Sequence, residues 1–177
     1  NTITSGVGRF LQPLLAEWKP AFADKEFRST LLAAAIVFMV YSAITQRLNF
    51  LAETRQGTRL DDRLLTLFPS VDFSTWIFVL LYLSLGTMVL THILKPTVIM
   101  RVIEMHLLVA VVRQLCIMMI ALEPPAGIIV LRDVFLENTV YPNDAPLTKD
   151  LFFSGHVASI WIYFLCCERK YLKYALI

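Results

Sequence analysis

The chain has 177 residues, of which 57% are apolar and 17% charged, with a formal net charge of +2 and a mean hydropathy of +0.64. Soluble domains hold roughly 45–50% apolar and about 25% charged residues, so this composition excludes a disordered, collagenous or coiled-coil chain and an ordinary solvated domain. The charge is too small and too scattered for a nucleic-acid partner, which leaves an all-α, polytopic transmembrane helix bundle whose partners are membrane lipids.

Residues 1–29 lack a continuous apolar core. Phe10, Leu11, Leu14, Leu15 and Trp18 alternate with Glu17, Lys19 and Lys25, which suits an amphipathic segment lying at the membrane surface. A hydrocarbon layer about 30 Å thick needs roughly 17–25 apolar residues as helix, and four such stretches follow, at 30–46, 75–94, 97–122 and 151–167. Their runs are continuous rather than alternating, and in lipid such runs form helices. Lys95-Pro96 marks a tight turn. Residues 171–177 read as the start of a fifth span, and the Asn1 start reads as an internal one, so the chain is expected to be part of a longer protein of the same kind.

Basic residues set the expected orientation. With the N-terminus cytoplasmic, Arg9, Lys19, Lys25, Arg28, Lys95, Arg101, Arg169, Lys170 and Lys173 lie inside, against Arg47, Arg55, Arg59, Arg63, Arg132 and Lys149 outside, a positive-inside bias. The loop 123–150 then faces outward. Cys116 stands in an apolar run, and Cys166 and Cys167 are adjacent, a pattern of free thiols rather than a disulfide framework.

The third span is the anomalous one, because Arg101, Glu104, His106, Arg113 and Gln114 interrupt it. A charge near the bilayer centre costs a few kcal/mol even on lenient scales, about 2.5–3.5, and so faces a bundle interior or a wet cavity. Arg101 and Glu104 stand near the inner end, where they can snorkel. His106 and Arg113, seven apart, share one helical face, and Arg113 is deep enough to require an anionic partner.

A second anomaly stands where the fourth span begins, as Lys149-Asp150-Leu151-Phe152-Phe153-Ser154-Gly155-His156. Ser154, Gly155 and His156 are expected in the first helical turn, where backbone N–H groups lack intrahelical acceptors and the dipole is positive. An anion fits there, with Ser154 as hydroxyl donor, Gly155 allowing close approach, Lys149 and Arg113 as cations, and His156 giving or taking a proton. Asp150 orients Lys149 or a substrate group. No metal or other cofactor is implied, since Asp61, Asp62, Glu123, Asp133, Glu137, Asp144 and Asp150 show no ligand spacing. The stretch 127–136 reads as an interfacial segment that shapes lipid access.

At these residues the sequence resembles the type 2 phosphatidic acid phosphatase superfamily, in its sphingomyelin synthase-like branch. There an Asp, a few apolar residues and Ser-Gly-His-Thr open a helix at the outer face; here Asp150 to His156 is followed by Val157 in place of Thr. Arg113-Gln-Leu-Cys116 and Glu123-Pro-Pro125 are similar to the branch's third-helix segment and its exit. The resemblance covers residues 97–165. It implies six spans, of which four are seen here, and histidine-based phosphoryl transfer on lipid phosphoesters at the non-cytoplasmic face, with His156 as catalytic acid and base. The nucleophilic histidine and its aspartate belong to a later helix of that family, and no histidine follows His156 here. The family's Lys-x6-Arg-Pro motif is absent as well. The alternative is a non-catalytic membrane scaffold or lipid-binding relative; a transporter half is disfavoured, since no pseudo-repeat is seen.

Overall fold

The computed structural model describes residues 2–61, 67, 69–133 and 147–175, with side chains described for 11–61, 67, 69–133 and 147–172. Asp62, Arg63, 134–136, Glu137 and Asp144 lie outside the described residues, as do residues 176–177 and the side chains of Phe10, Arg9 and Lys173. The described chain is mostly helical: α1 is Thr2–Ala23, α2 Lys25–Thr54, α3 Ser74–His92, α4 Pro96–Met119, α5 Gly155–Cys166 and α6 Lys170–Ala175. Two short strands, β1 Thr58–Arg59 and β2 Leu122–Glu123, form a parallel pair with Thr58 opposite Leu122.

Three helices, α2, α3 and α4, are long and apolar enough to cross a membrane. Their side chains fit that reading, because Leu32, Phe38, Leu80, Leu83, Leu90, Leu108 and Leu115 stand exposed on faces that water would not favour. The predicted span 30–46 proves too short. Asp24 accepts from the N–H groups of Glu26 and Phe27 and caps α2 at Lys25, so the helix takes up residues 25–29 and then runs on past Arg47 to Thr54. A break between two helices thus falls at Asp24, within the N-terminal segment 1–29. α3 and α4 end two or three residues earlier than hydropathy suggested.

The predicted fourth span departs most. Only Gly155–Cys166 is helical, twelve residues or about 18 Å at 1.5 Å per residue, less than the hydrocarbon thickness of about 30 Å. Helix begins late because Ser154 is its cap, with the Ser154 Oγ accepting from Val157 N. Residues 151–154 before it carry no regular structure.

Contacts fix the helix directions. Phe27 clusters with Met100, Thr45 Oγ1 donates to Gln114 Oε1 at 3.0 Å, and Arg55 reaches the carbonyls of Ile117, Met118 and Ile120, so α2 and α4 run parallel. α5 runs against α4, as the Arg113–Phe153, His106–Tyr163 and Lys95–Glu168 contacts show. One end of the molecule thus collects the α3–α4 turn with the ends of α1 and α5. The opposite end collects the end of α2, both strands and the start of α5.

The core lies toward the Lys95 end, where Met88, Val98, Ile162, Tyr163, Cys166 and Cys167 are buried together. His92 is fully buried there and accepts from Glu168 N at 3.4 Å, while Trp18 Nε1 donates to the Ile93 carbonyl at 2.7 Å. All three cysteines are free thiols.

At the other end, Gly57 lets the α2 and α4 exits meet. A Cβ on Gly57 would stand 2.7 Å from the Leu122 carbonyl carbon and 2.9 Å from Ala121 backbone atoms, so the two backbones would have to part. Gly57→Ala is expected to cost about 1–3 kcal/mol, the range for forced overpacking, read as a lowered Tm in detergent; an unchanged Tm would show that the strand pair does not form.

Candidate functional site

Arg113 is the centre of the site. It stands on α4, two turns beyond His106, and both residues face α5: the His106 ring lies 5.2 Å from that of Tyr163, and Arg113 Nε donates to the Phe153 carbonyl at 2.8 Å. The guanidinium also pairs with Asp150, Nη2 to Oδ2, at 2.5 Å. The side chains are 24% and 23% exposed, partly withdrawn from water. The anionic partner of Arg113 is therefore Asp150, supplied by the segment before α5.

Gly155 is the contact point between that cation and the helix. A Cβ there would lie 3.4 Å from Arg113 Nε and 3.5 Å from Cζ, so a larger side chain would press on the guanidinium. The Ser154 hydroxyl is engaged with Val157 N at 3.4 Å, and Ser154 itself is exposed. The N–H groups of Gly155 and His156 open the helix and have no intrahelical acceptor. His156 follows in the first turn, its ring edge-on to Phe78 of α3 at 5.0 Å. Phe78 stacks with Tyr82 at 6.3 Å, whose hydroxyl donates to Asp133 at 2.5 Å. An aromatic and acidic wall thus backs the imidazole on the α3 side.

Arg113, Asp150, Ser154, Gly155 and His156 stand together, but Asp150 pairs with Arg113 and not with Lys149, which the sequence reading had it orient. Lys149 does not join them. Its ammonium donates to Glu123 Oε1 at 2.7 Å and to the Arg55 carbonyl at 2.6 Å. It belongs to a second network in which Glu53, on the last turn of α2, accepts from Thr148 N at 2.6 Å, Lys149 N at 2.7 Å and Thr148 Oγ1 at 2.9 Å. Gly57 N also donates to Glu123, at 2.8 Å. The Arg55 guanidinium covers the last carbonyls of α4, where orphan acceptors and the negative dipole end favour a cation.

Sequence reading missed Glu53, Arg55, Phe78 and Tyr82. Only Glu53 left a signal, as an acid in the last turn of an apolar helix with no local base on its face. One oxygen, Asp150 Oδ1, is buried without a hydrogen-bond partner among the described residues, as is Gln114 Nε2. No group of three His, Cys, Asp or Glu able to hold a metal occurs among the described residues. A groove of about 620 Å³ lined by Pro13, Leu14, Leu90, Leu94, Lys95 and Arg169 lies at the opposite end from His156. Comparison with family models, with curated proteins and with solved structures gives no match.

Two outcomes follow from this geometry. Removing Asp150 strands a cation; since the pair is partly exposed, Asp150→Ala should cost about 1–3 kcal/mol, below the 3–5 kcal/mol or so of a fully buried pair. The double variant Arg113→Met, Asp150→Ala should lose less than Asp150→Ala alone in denaturant titration, and additive losses would rule out the pairing. The second outcome concerns acid. Hydrogen bonds from Lys149 and from the Gly57 N–H hold the Glu123 carboxyl below its ordinary 4.5. A depressed folded-state value means that this contribution is present above 4.5 and disappears as pH falls through the folded value. Glu123→Gln should therefore flatten the stability curve below pH 4.5 and leave its slope near neutrality unchanged; an identical acid limb would contradict the assignment.

Proposed function

We propose that the chain carries the acid–base group of an integral membrane lipid phosphatase or phosphotransferase similar to the sphingomyelin synthase-like branch. The observation that carries this reading is the Arg113 guanidinium set against Gly155, one residue before His156. A planar cation, two helix N–H groups without intrahelical acceptors and an imidazole then share one helix start. A phosphoester headgroup suits that arrangement: its oxygens take the guanidinium and the N–H groups, with the Ser154 hydroxyl at the rim. In such a site a nucleophilic histidine attacks phosphorus as the bond to the leaving oxygen breaks; His156 protonates that departing alkoxide and afterwards deprotonates the acceptor hydroxyl, whose attack on phosphorus releases the nucleophile. Water as acceptor gives a phosphatase, and a lipid hydroxyl such as that of ceramide gives a transferase. The nucleophilic histidine of such a site has no counterpart after His156 in this sequence. Lys149, engaged by Glu123 and Arg55, enters as the residue that holds the segment.

In this reading α5 is the fourth span. Its roughly 18 Å falls short of the hydrocarbon thickness, and the non-helical segment ahead of it, held on Arg113 through Asp150 and Phe153, completes the crossing. Non-helical backbone at membrane depth must be satisfied by protein, and the Arg113 bond to the Phe153 carbonyl does this. The N-terminus is cytoplasmic and the Arg113–His156 end faces the outside or lumen, in keeping with the basic residues at the Lys95 end.

A second reading, a scaffold or lipid-binding relative, draws on the carboxylate already carried by each cation, Asp150 on Arg113 and Glu123 on Lys149. His156→Ala in the full-length protein separates the two. The enzyme reading expects a loss of lipid headgroup turnover of about 10²–10⁴-fold, the usual share of a general acid–base group, with membrane insertion intact. Undiminished turnover in that variant overturns it, and lipid binding without turnover in the unaltered protein favours the scaffold.

A further inference from the structure

We propose that Glu53 is a positioning residue for this site, acting through the backbone of Thr148 and Lys149 to hold Asp150 on Arg113. The inference rests on the phosphoester reading and adds to it a residue 97 positions away from Asp150 in sequence, at the end of a different helix.

The segment that carries Asp150 is held at two places. Glu53 of α2 takes three hydrogen bonds from residues 148 and 149, and Arg113 of α4 binds residues 150 and 153. Between the clamps, Lys149 bridges to Glu123 and to the Arg55 carbonyl, which ties the segment to the α2 and α4 exits. Backbone N–H donors make the grip insensitive to side-chain rotamer, and the Thr148 hydroxyl adds the residue-specific bond that sets the register. A one-residue slip would bring Lys149 or Leu151 opposite Arg113, replacing the carboxylate with a like charge or an apolar group.

The chemistry of the acceptor matters. A carboxylate is acceptor-only, and its two oxygens serve the three donors here. Glutamine keeps one carbonyl oxygen for both backbone N–H groups and can donate its amide to the Thr148 hydroxyl, so it preserves the geometry with weaker bonds. Alanine removes the clamp.

The test uses the full-length protein in bilayers, with a fluorescent lipid phosphoester for turnover and amide hydrogen exchange for the segment. Glu53→Ala should lower kcat by about 10²-fold, the scale of an ångström of misplacement, with KM changed by less than about threefold, whereas Glu53→Gln should stay within about fivefold of the unaltered protein. In an Asp150→Asn background the Glu53→Ala effect should shrink to about threefold or less, because the group being positioned is already altered. Exchange at Thr148 and Lys149 should accelerate in Glu53→Ala and stay protected in Glu53→Gln. Equal kcat for the alanine and glutamine variants, an undiminished effect in the Asp150→Asn background, or unchanged protection at Thr148 and Lys149 would each overturn the proposal. Absence of turnover in the unaltered protein would reject the phosphoester reading instead, and the exchange measurement then decides the clamp alone.

Discussion

A guanidinium inside an apolar helix has to be answered by something, and the arrangement around it follows from what answers Arg113. An uncompensated charge among apolar helices is costly, and the guanidinium, 24% exposed, is partly withdrawn from water. The chain supplies Asp150 and the Phe153 carbonyl. Both come from the segment before α5, so the start of that helix is drawn to Arg113, and Gly155 is the residue that fits beneath the guanidinium. His156 then inherits its place from the requirement to neutralise a charge on another helix.

The two ends of the molecule are built from different materials. Around Met88, Val98, Ile162 and Tyr163 the contacts are apolar and close, with His92 and Trp18 satisfying carbonyl and N–H groups left by helix ends and turns. Lys95 and Glu168 bridge the α3–α4 turn to the segment after α5, and that pairing holds the Glu168 carboxyl below its ordinary 4.5. At the opposite end directional bonds dominate: Arg55 over the α4 carbonyls, Glu123 between Gly57 and Lys149, Glu53 on residues 148 and 149. A packed end gives the bundle its stability, while a hydrogen-bonded end specifies register. Precise placement of an imidazole and a cation depends on the second kind of order.

Much of this was legible in the sequence because membrane physics is severe. Long apolar runs announced α2, α3 and α4, and the tight turn at Lys95-Pro96 was plain. Arg113, well inside the third run, announced that a partner must exist, and the seven-residue step from His106 placed both on the face that meets α5. The limits of the helices were less visible, since the cap at Asp24 and the late start at Ser154 are set by single side chains that hydropathy averages away. Glu53 and Arg55 stayed hidden for another reason. Their partners stand 62 to 96 residues distant, and no local pattern encodes such a pairing. Lys149 was misleading in the same way: its neighbours in sequence suggested an anion site, and its neighbours in space are Glu123 and the end of α2.

The central claim, that Arg113 is neutralised by Asp150 and so fixes the start of α5, is most directly tested by magic-angle-spinning NMR in bilayers, with the Arg113 guanidinium nitrogens and the Asp150 carboxyl carbon labelled. The account predicts a strong nitrogen–carbon dipolar coupling, the signature of direct contact. Loss of that coupling, with Asp150 titrating as a free carboxylate, would contradict it.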